Sequence, residues 1–153
     1  MPGKKGEKVV AVVLVILALD QLSKILIVKN LFLGQSLPVI NGVFHLSLVH
    51  NRGAAFGILN NLTPLFILTS LAAVILIFAS LKKNRSISLE NFALSLILAG
   101  ALGNLIDRIF LGYVIDFLDF RVWPVFNVAD SAITVGAILL GWKILSPNTK
   151  KAN

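Results

Sequence analysis

The chain of 153 residues contains no cysteine, which excludes disulfides, thiol nucleophiles and thiolate metal sites. Acid is scarce too: seven Asp and Glu stand against fourteen Lys and Arg. Charge of either sign makes up only 14% of the chain, whereas 57% is hydrophobic and the mean hydropathy is +0.89. That much apolar side chain exceeds what a soluble core of one-domain size can hide, so the long uncharged runs read as membrane spans. With two His in the whole chain, both in one strand-like segment, there is no HExxH and no His pair at helical spacing beside a carboxylate, so no metal site is expected. Nucleophilic triads fail as well, since no Ser near His45 or His50 sits in a recognisable elbow.

What is present falls into four apolar runs. The first spans about 9–28 and follows a basic start at Lys4, Lys5 and Lys8. That start resembles a signal peptide, but Asp20-Gln21-Leu22-Ser23-Lys24 stands where a small-x-small cleavage site would be needed. The run is therefore expected to be retained as a span. Further spans are expected at about 62–81, 89–106 and 125–145. Between the first two, about 30–60 is rich in glycine and alternates over Val43–Val49, which is strand and turn chemistry. The expectation is one mainly helical membrane domain over 1–153, with four transmembrane helices and a small extracytoplasmic β-element.

Nine of the fourteen basic residues lie at the N-terminus, at 82–85 and near the C-terminus. By the positive-inside rule both termini are then cytoplasmic. Orientation explains the surplus of +7, so no nucleic-acid partner is expected.

The carboxylates are concentrated. Gly100–Ile133 holds four of the five Asp, namely Asp107, Asp116, Asp119 and Asp130. Counted from the cytoplasmic edge at the rise of a helix, Asp20 lies at about 17 Å and Asn104 and Asp130 at about 20 Å. A charge near the bilayer centre costs about 2.5–3.5 kcal/mol on insertion scales. Such costs at one level on three helices suggest side chains that face one another around a polar cavity. Plainer readings stand beside this one. Asp20 and Lys24 are spaced to pair along a helix, Asn127 to cap one, Asp119 and Arg121 to form a solvated loop. Paired carboxylates are the chemistry that remains. One keeps a proton and the other acts as base toward water, which hydrolyses a peptide without a covalent intermediate. Asp130 is the first candidate. Asp107, Asp116 and Asp119 are alternatives for its partner. A proton or ion pathway through the same carboxylates is the competing reading.

Five stretches carry a resemblance: DQLSK at 20–24, NRGAAFG at 51–57, GALGNLIDR at 100–108, GYVIDF at 112–117 and FNVADSAI at 126–133. In this order on four spans they resemble lipoprotein signal peptidase, the bacterial type II signal peptidase. Ala99, where the family often has a second Gly, is a small departure. The resemblance implies Asp116 and Asp130 as the catalytic pair. It implies that Asn51, Asn104, Arg108 and Asn127 line the site, that Asp20 and Lys24 support it, and that Gly53, Ala54 and Phe56 belong to a loop beside it. Asp107 then becomes a structural partner of nearby donors. No cofactor is implied. The implied substrate is a prolipoprotein cut just before a diacylglyceryl-modified Cys, at the outer leaflet of the bacterial inner membrane, with the antibiotic globomycin expected in the same cleft. One chain holds every group required, so a monomer suffices; membrane lipids are the other partners.

Overall fold

The computed structural model describes residues 4–53, 63–83 and 88–146. Four helices dominate: α1 (Lys4–Asn30), α2 (Thr63–Lys83), α3 (Leu89–Leu111) and α4 (Val128–Leu145). Each is long and apolar enough to cross a bilayer. Three strands, β1 (Ser36–Ile40), β2 (Phe44–Asn51) and β3 (Val114–Asp119), form an antiparallel sheet in the order β1-β2-β3.

Helix α3 is the axis of the bundle. It is buried over most of its length, while the other three expose mostly apolar surface. It packs against all three, and closest against α4. Small residues permit that approach. A Cβ on Gly136 would come within 2.7 Å of the Ala93 carbonyl oxygen, and one on Gly100 within 2.7 Å of Ile133 Cγ1.

The helix ends differ from the runs expected from hydropathy. Helix α1 runs from Lys4 to Asn30 rather than 9–28, because apolarity marks the span and not the solvated turns at its ends. Helix α3 continues to Leu111, past the expected 106. It stops where Gly112 takes φ +80° and its N–H donates to the Arg108 carbonyl, a left-handed cap that suits glycine. Helix α4 starts at Val128, not at 125, because Asn127 caps it.

The β-element also differs. Strands occupy 36–51 within the expected 30–60, while 54–60 lies outside the described residues. The third strand, β3, comes from Val114–Asp119 between the last two helices. Both of its faces are buried, so it lacks the alternation that marks a strand in sequence. It pairs with β2 in the register Val49↔Asp116 and Asn51↔Val114. One extra β2 residue between Leu46 and Val49 makes a bulge beside Asp116. Leu31, Leu48 and Ile115 form the small core that pins the sheet to the end of α1.

Candidate active site

Asp116 stands on β3 and Asp130 in the first turn of α4. Asn127, just before α4, connects them. Its side chain Nδ2 donates to Asp116 Oδ1 at 2.7 Å, and its backbone N–H donates to Asp130 Oδ2 at 3.3 Å. Its Oδ1 accepts from the Asp130 backbone N–H at 2.8 Å, which completes a capping box. Each carboxylate has one further amide donor. Asn51 Nδ2 donates to Asp116 Oδ2 at 2.9 Å, and Asn104 Nδ2 to Asp130 Oδ1 at 2.7 Å. Four neutral N–H donors, from three asparagines, are therefore aimed at two carboxylates.

A buried layer lies behind this pair. Lys24 and Asp20 are 2% and 0% exposed. Lys24 Nζ reaches Asp20 Oδ2 and Asp107 Oδ2, both at 2.8 Å, and Asn104 Oδ1 at 3.2 Å. Its three protons are thus all engaged. Asp20 Oδ1 accepts from the Ala129 N–H at 2.9 Å, and Asp107 Oδ2 from the Ile115 N–H at 3.1 Å. Buried ions are tolerable only when every lone pair and proton is met in this way. The layer also fixes geometry. Asp20 holds the start of α4 one residue before Asp130, and Asp107 holds β3 one residue before Asp116.

The polar side chains expected at one level thus meet: Asp20, Asn104 and Asp130 belong to a single network. Arg108 is half-buried beside it. Its guanidinium lies 5.3 Å from the Phe66 ring centroid and interacts electrostatically with Asp130, Asp116 and Asp107. Among the described residues it makes no hydrogen bond. Gly53 is buried, and its N–H donates to Asn51 Oδ1 at 3.0 Å, which turns the Asn51 amide toward Asp116. Ala54 and Phe56 lie outside the described residues.

Two residues take parts that their sequence positions did not assign. Gln21 Nε2 donates to Asp20 Oδ2 at 3.1 Å and Asp107 Oδ1 at 3.2 Å, between the two acids that share Lys24. Its place inside DQLSK was the available signal. Asp119 is not in a solvated loop but buried at the end of β3, accepting from Ser47 Oγ at 2.8 Å and Arg121 Nη1 at 3.0 Å. Neither His enters the site. His50 stacks on Tyr113 with centroids 3.8 Å apart, and His45 Nδ1 lies 3.0 Å from Ser36 Oγ. Among the described residues, no cluster of three or more His, Asp or Glu has the geometry of a metal site.

Asp116, outside the four helices, has its pKa pushed up to about 7. Burial is the main cause, and the nearby Asp130 charge adds to it. The hydrogen bonds from Asn51 and Asn127, with the Lys24 charge, oppose the rise. Two acids in one enclosure, one of them holding its proton near neutrality, can move protons to and from a third molecule.

Residues 12–146 match the family described as Signal peptidase (SPase) II. A protein of Moorella thermoacetica named lipoprotein signal peptidase is 53% identical over 135 residues, covering 88% of this chain and 90% of that protein. Its namesake in Halothermothrix orenii is 48% identical over 129 residues, covering 84% and 89%. Among solved structures, a bacterial membrane enzyme determined by the in meso method at 2.3 Å resolution is 31% identical, with a TM-score of 0.89 over 96% of this chain and 94% of that one.

Proposed function

This chain belongs to the signal peptidase II family, and we propose that Asp116 and Asp130 are the catalytic pair with which it cuts prolipoproteins. It is a membrane-spanning peptidase of the aspartic type. The observation that carries the assignment is the Asn127 bridge. One residue donates to both carboxylates, so their relative position is fixed through a single side chain and its own backbone.

With its pKa raised to about 7, Asp116 keeps a proton in a large share of molecules near neutral pH and is assigned as the proton holder of the pair. Asp130, with donors from Asn104 and Asn127 on its two oxygens, is the base. Asp130 takes a proton from water as the oxygen attacks the scissile carbonyl carbon. Asp116 gives its proton to the carbonyl oxygen. The resulting gem-diol collapses when Asp130 returns a proton to the amide nitrogen and Asp116 recovers one from a hydroxyl, breaking the C–N bond. The half-buried Arg108 cation faces the same space, where it can hold a substrate carbonyl or lipid ester.

The substrate is a prolipoprotein whose Cys carries a diacylglyceryl group, cut immediately before that Cys. Its lipid anchor holds the scissile bond near the interface, and apolar helix faces flank the pair there. The site lies toward the outer leaflet, both termini are cytoplasmic, and the working unit is one chain. Every polar group of the network comes from that chain.

The test is a cleavage assay on lipid-modified prolipoprotein with Asp116→Asn and Asp130→Asn. Each variant is expected to lose turnover by at least about 10³-fold while still retaining substrate in a pull-down. Cleavage that survives in either variant would remove that residue from the pair.

A further inference from the structure

Away from the active site, α1, α2 and α3 enclose an open groove of 830 Å³. Its walls are Val10, Val13 and Leu14 from α1, Val74 and Phe78 from α2, and Leu98 from α3. Lys82 stands at its end, beside Gly6. Lys82 is exposed and has no acidic partner among the described residues. Helix α2 is the least buried of the four and packs chiefly on α3, so the groove separates it from α1.

Three features select the occupant. From Val74 to Lys82 is eight residues, about 12 Å along a helix. That is less than half of the roughly 30 Å apolar core, so the walls that α1 and α2 give the groove lie within one leaflet. A spanning helix would overrun it; an acyl chain would not. The end at Lys82 carries a cation without an acidic partner among the described residues, which complements an anionic headgroup. It opposes the basic start of a signal peptide, and equally the basic end of a second copy of this chain.

We propose that this groove binds an anionic phospholipid, with an acyl chain between α1 and α2 and its phosphate at Lys82. The lipid fills the gap beside α2 and ties that helix to the bundle. Only the leaflet, the cytoplasmic one, rests on the orientation proposed above; the binding does not.

Native mass spectrometry of the full chain released from detergent tests this, with phosphatidylglycerol and phosphatidylcholine of identical acyl chains as probes. The wild type is expected to retain one phosphatidylglycerol per chain in preference to phosphatidylcholine. Lys82→Gln should cut that preference about fivefold, as for removal of one cation at a lipid surface. Val10→Trp, at an exposed position that faces the groove, should lower retention of both lipids. Both variants leave the Asp116–Asp130 pair untouched and should cleave normally in detergent. Equal retention of the two headgroups by wild type overturns the proposal. So does unchanged retention in Val10→Trp, and so does displacement of phosphatidylglycerol by a synthetic signal-peptide helix, which would make the groove a substrate site.

Discussion

Asn127 carries two duties that a substitution can separate. As a cap its Oδ1 accepts from the backbone, and as an arm its Nδ2 reaches Asp116. Serine caps a helix nearly as well as asparagine, whereas alanine costs about 0.5–2 kcal/mol. The serine hydroxyl is too short to span to β3. Asn127→Ser should therefore melt closer to wild type than Asn127→Ala, yet both should lose about 10²-fold in kcat with substrate binding retained, a size seen when one preorganised donor is removed. Equal kcat in Asn127→Ser and wild type would show that the bridge only caps. The Asp116 carboxyl makes a second, pH-dependent prediction. Its folded pKa, about 7, exceeds the unsupported value of 3.8, so the folded state binds the proton more tightly. The fold then loses stability as pH rises between 3.8 and about 7, and levels off above. Asp116→Asn removes that group, and its melting temperature should fall less over this window than that of wild type. Over the same titration kcat/KM of the wild type should decline on the alkaline side with an apparent pKa near 7, because the pair must hold one proton. A pH-independent kcat/KM from 6 to 9 would speak against Asp116 as the proton holder.

At the scale of elements, α3 and α4 set the distance across which Asn104 meets Asp130. Their contact depends on residues without side chains at the crossing. Gly136→Leu must push against the Ala93 carbonyl oxygen and Ile97 Cγ1, each 2.7 Å from an added Cβ. It should lower both melting temperature and cleavage. Gly141, on the same helix, has nothing within 4 Å of an added Cβ, so Gly141→Ala should be neutral or stabilising by up to about 1 kcal/mol. Thermal unfolding in detergent with parallel cleavage assays separates the two, and equal effects would mean that helix propensity rather than close packing matters here. The same elements show what could be read without coordinates. Four spans were legible because long uncharged runs have few other solutions. The shared level of Asp20, Asn104 and Asp130 was legible because helices convert residue counts into depth. Asp116 escaped that arithmetic because it sits on a strand. Local sequence gives VIDFLD no strand pattern, and its pairing partner β2 lies more than sixty residues earlier. Its place beside Asp130 followed only from resemblance to a known family. Lys24 likewise looked like a helical pair with Asp20, and its third contact, to Asp107, exists only once α1 has docked on α3.

For the whole molecule, the remaining question is which way it faces. Helices α1 to α4 alternate in direction. Lys8, Lys82 and Lys143 therefore gather at one end and the sheet at the other. Asp130 opens α4 at the sheet end, thirteen residues or about 20 Å from Lys143. On the orientation proposed above, the positive-inside rule puts the basic end in the cytoplasm and the Asp116–Asp130 pair toward the outside, where an exported, lipid-anchored substrate would present its bond. The absence of cysteine makes this directly measurable, since any introduced thiol is the only one. Val39, 55% exposed on β1, and the exposed Lys143 both lie outside the site network. In intact spheroplasts, a membrane-impermeant maleimide should label Val39→Cys at once and Lys143→Cys only after lysis. Each variant should keep its cleavage activity, which certifies that the labelled chain is the folded one. The opposite pattern would place Asp116 and Asp130 at the cytoplasmic face. A peptidase so placed could not meet a lipid-modified Cys on the outer side, and the charge asymmetry would then have to come from something other than orientation.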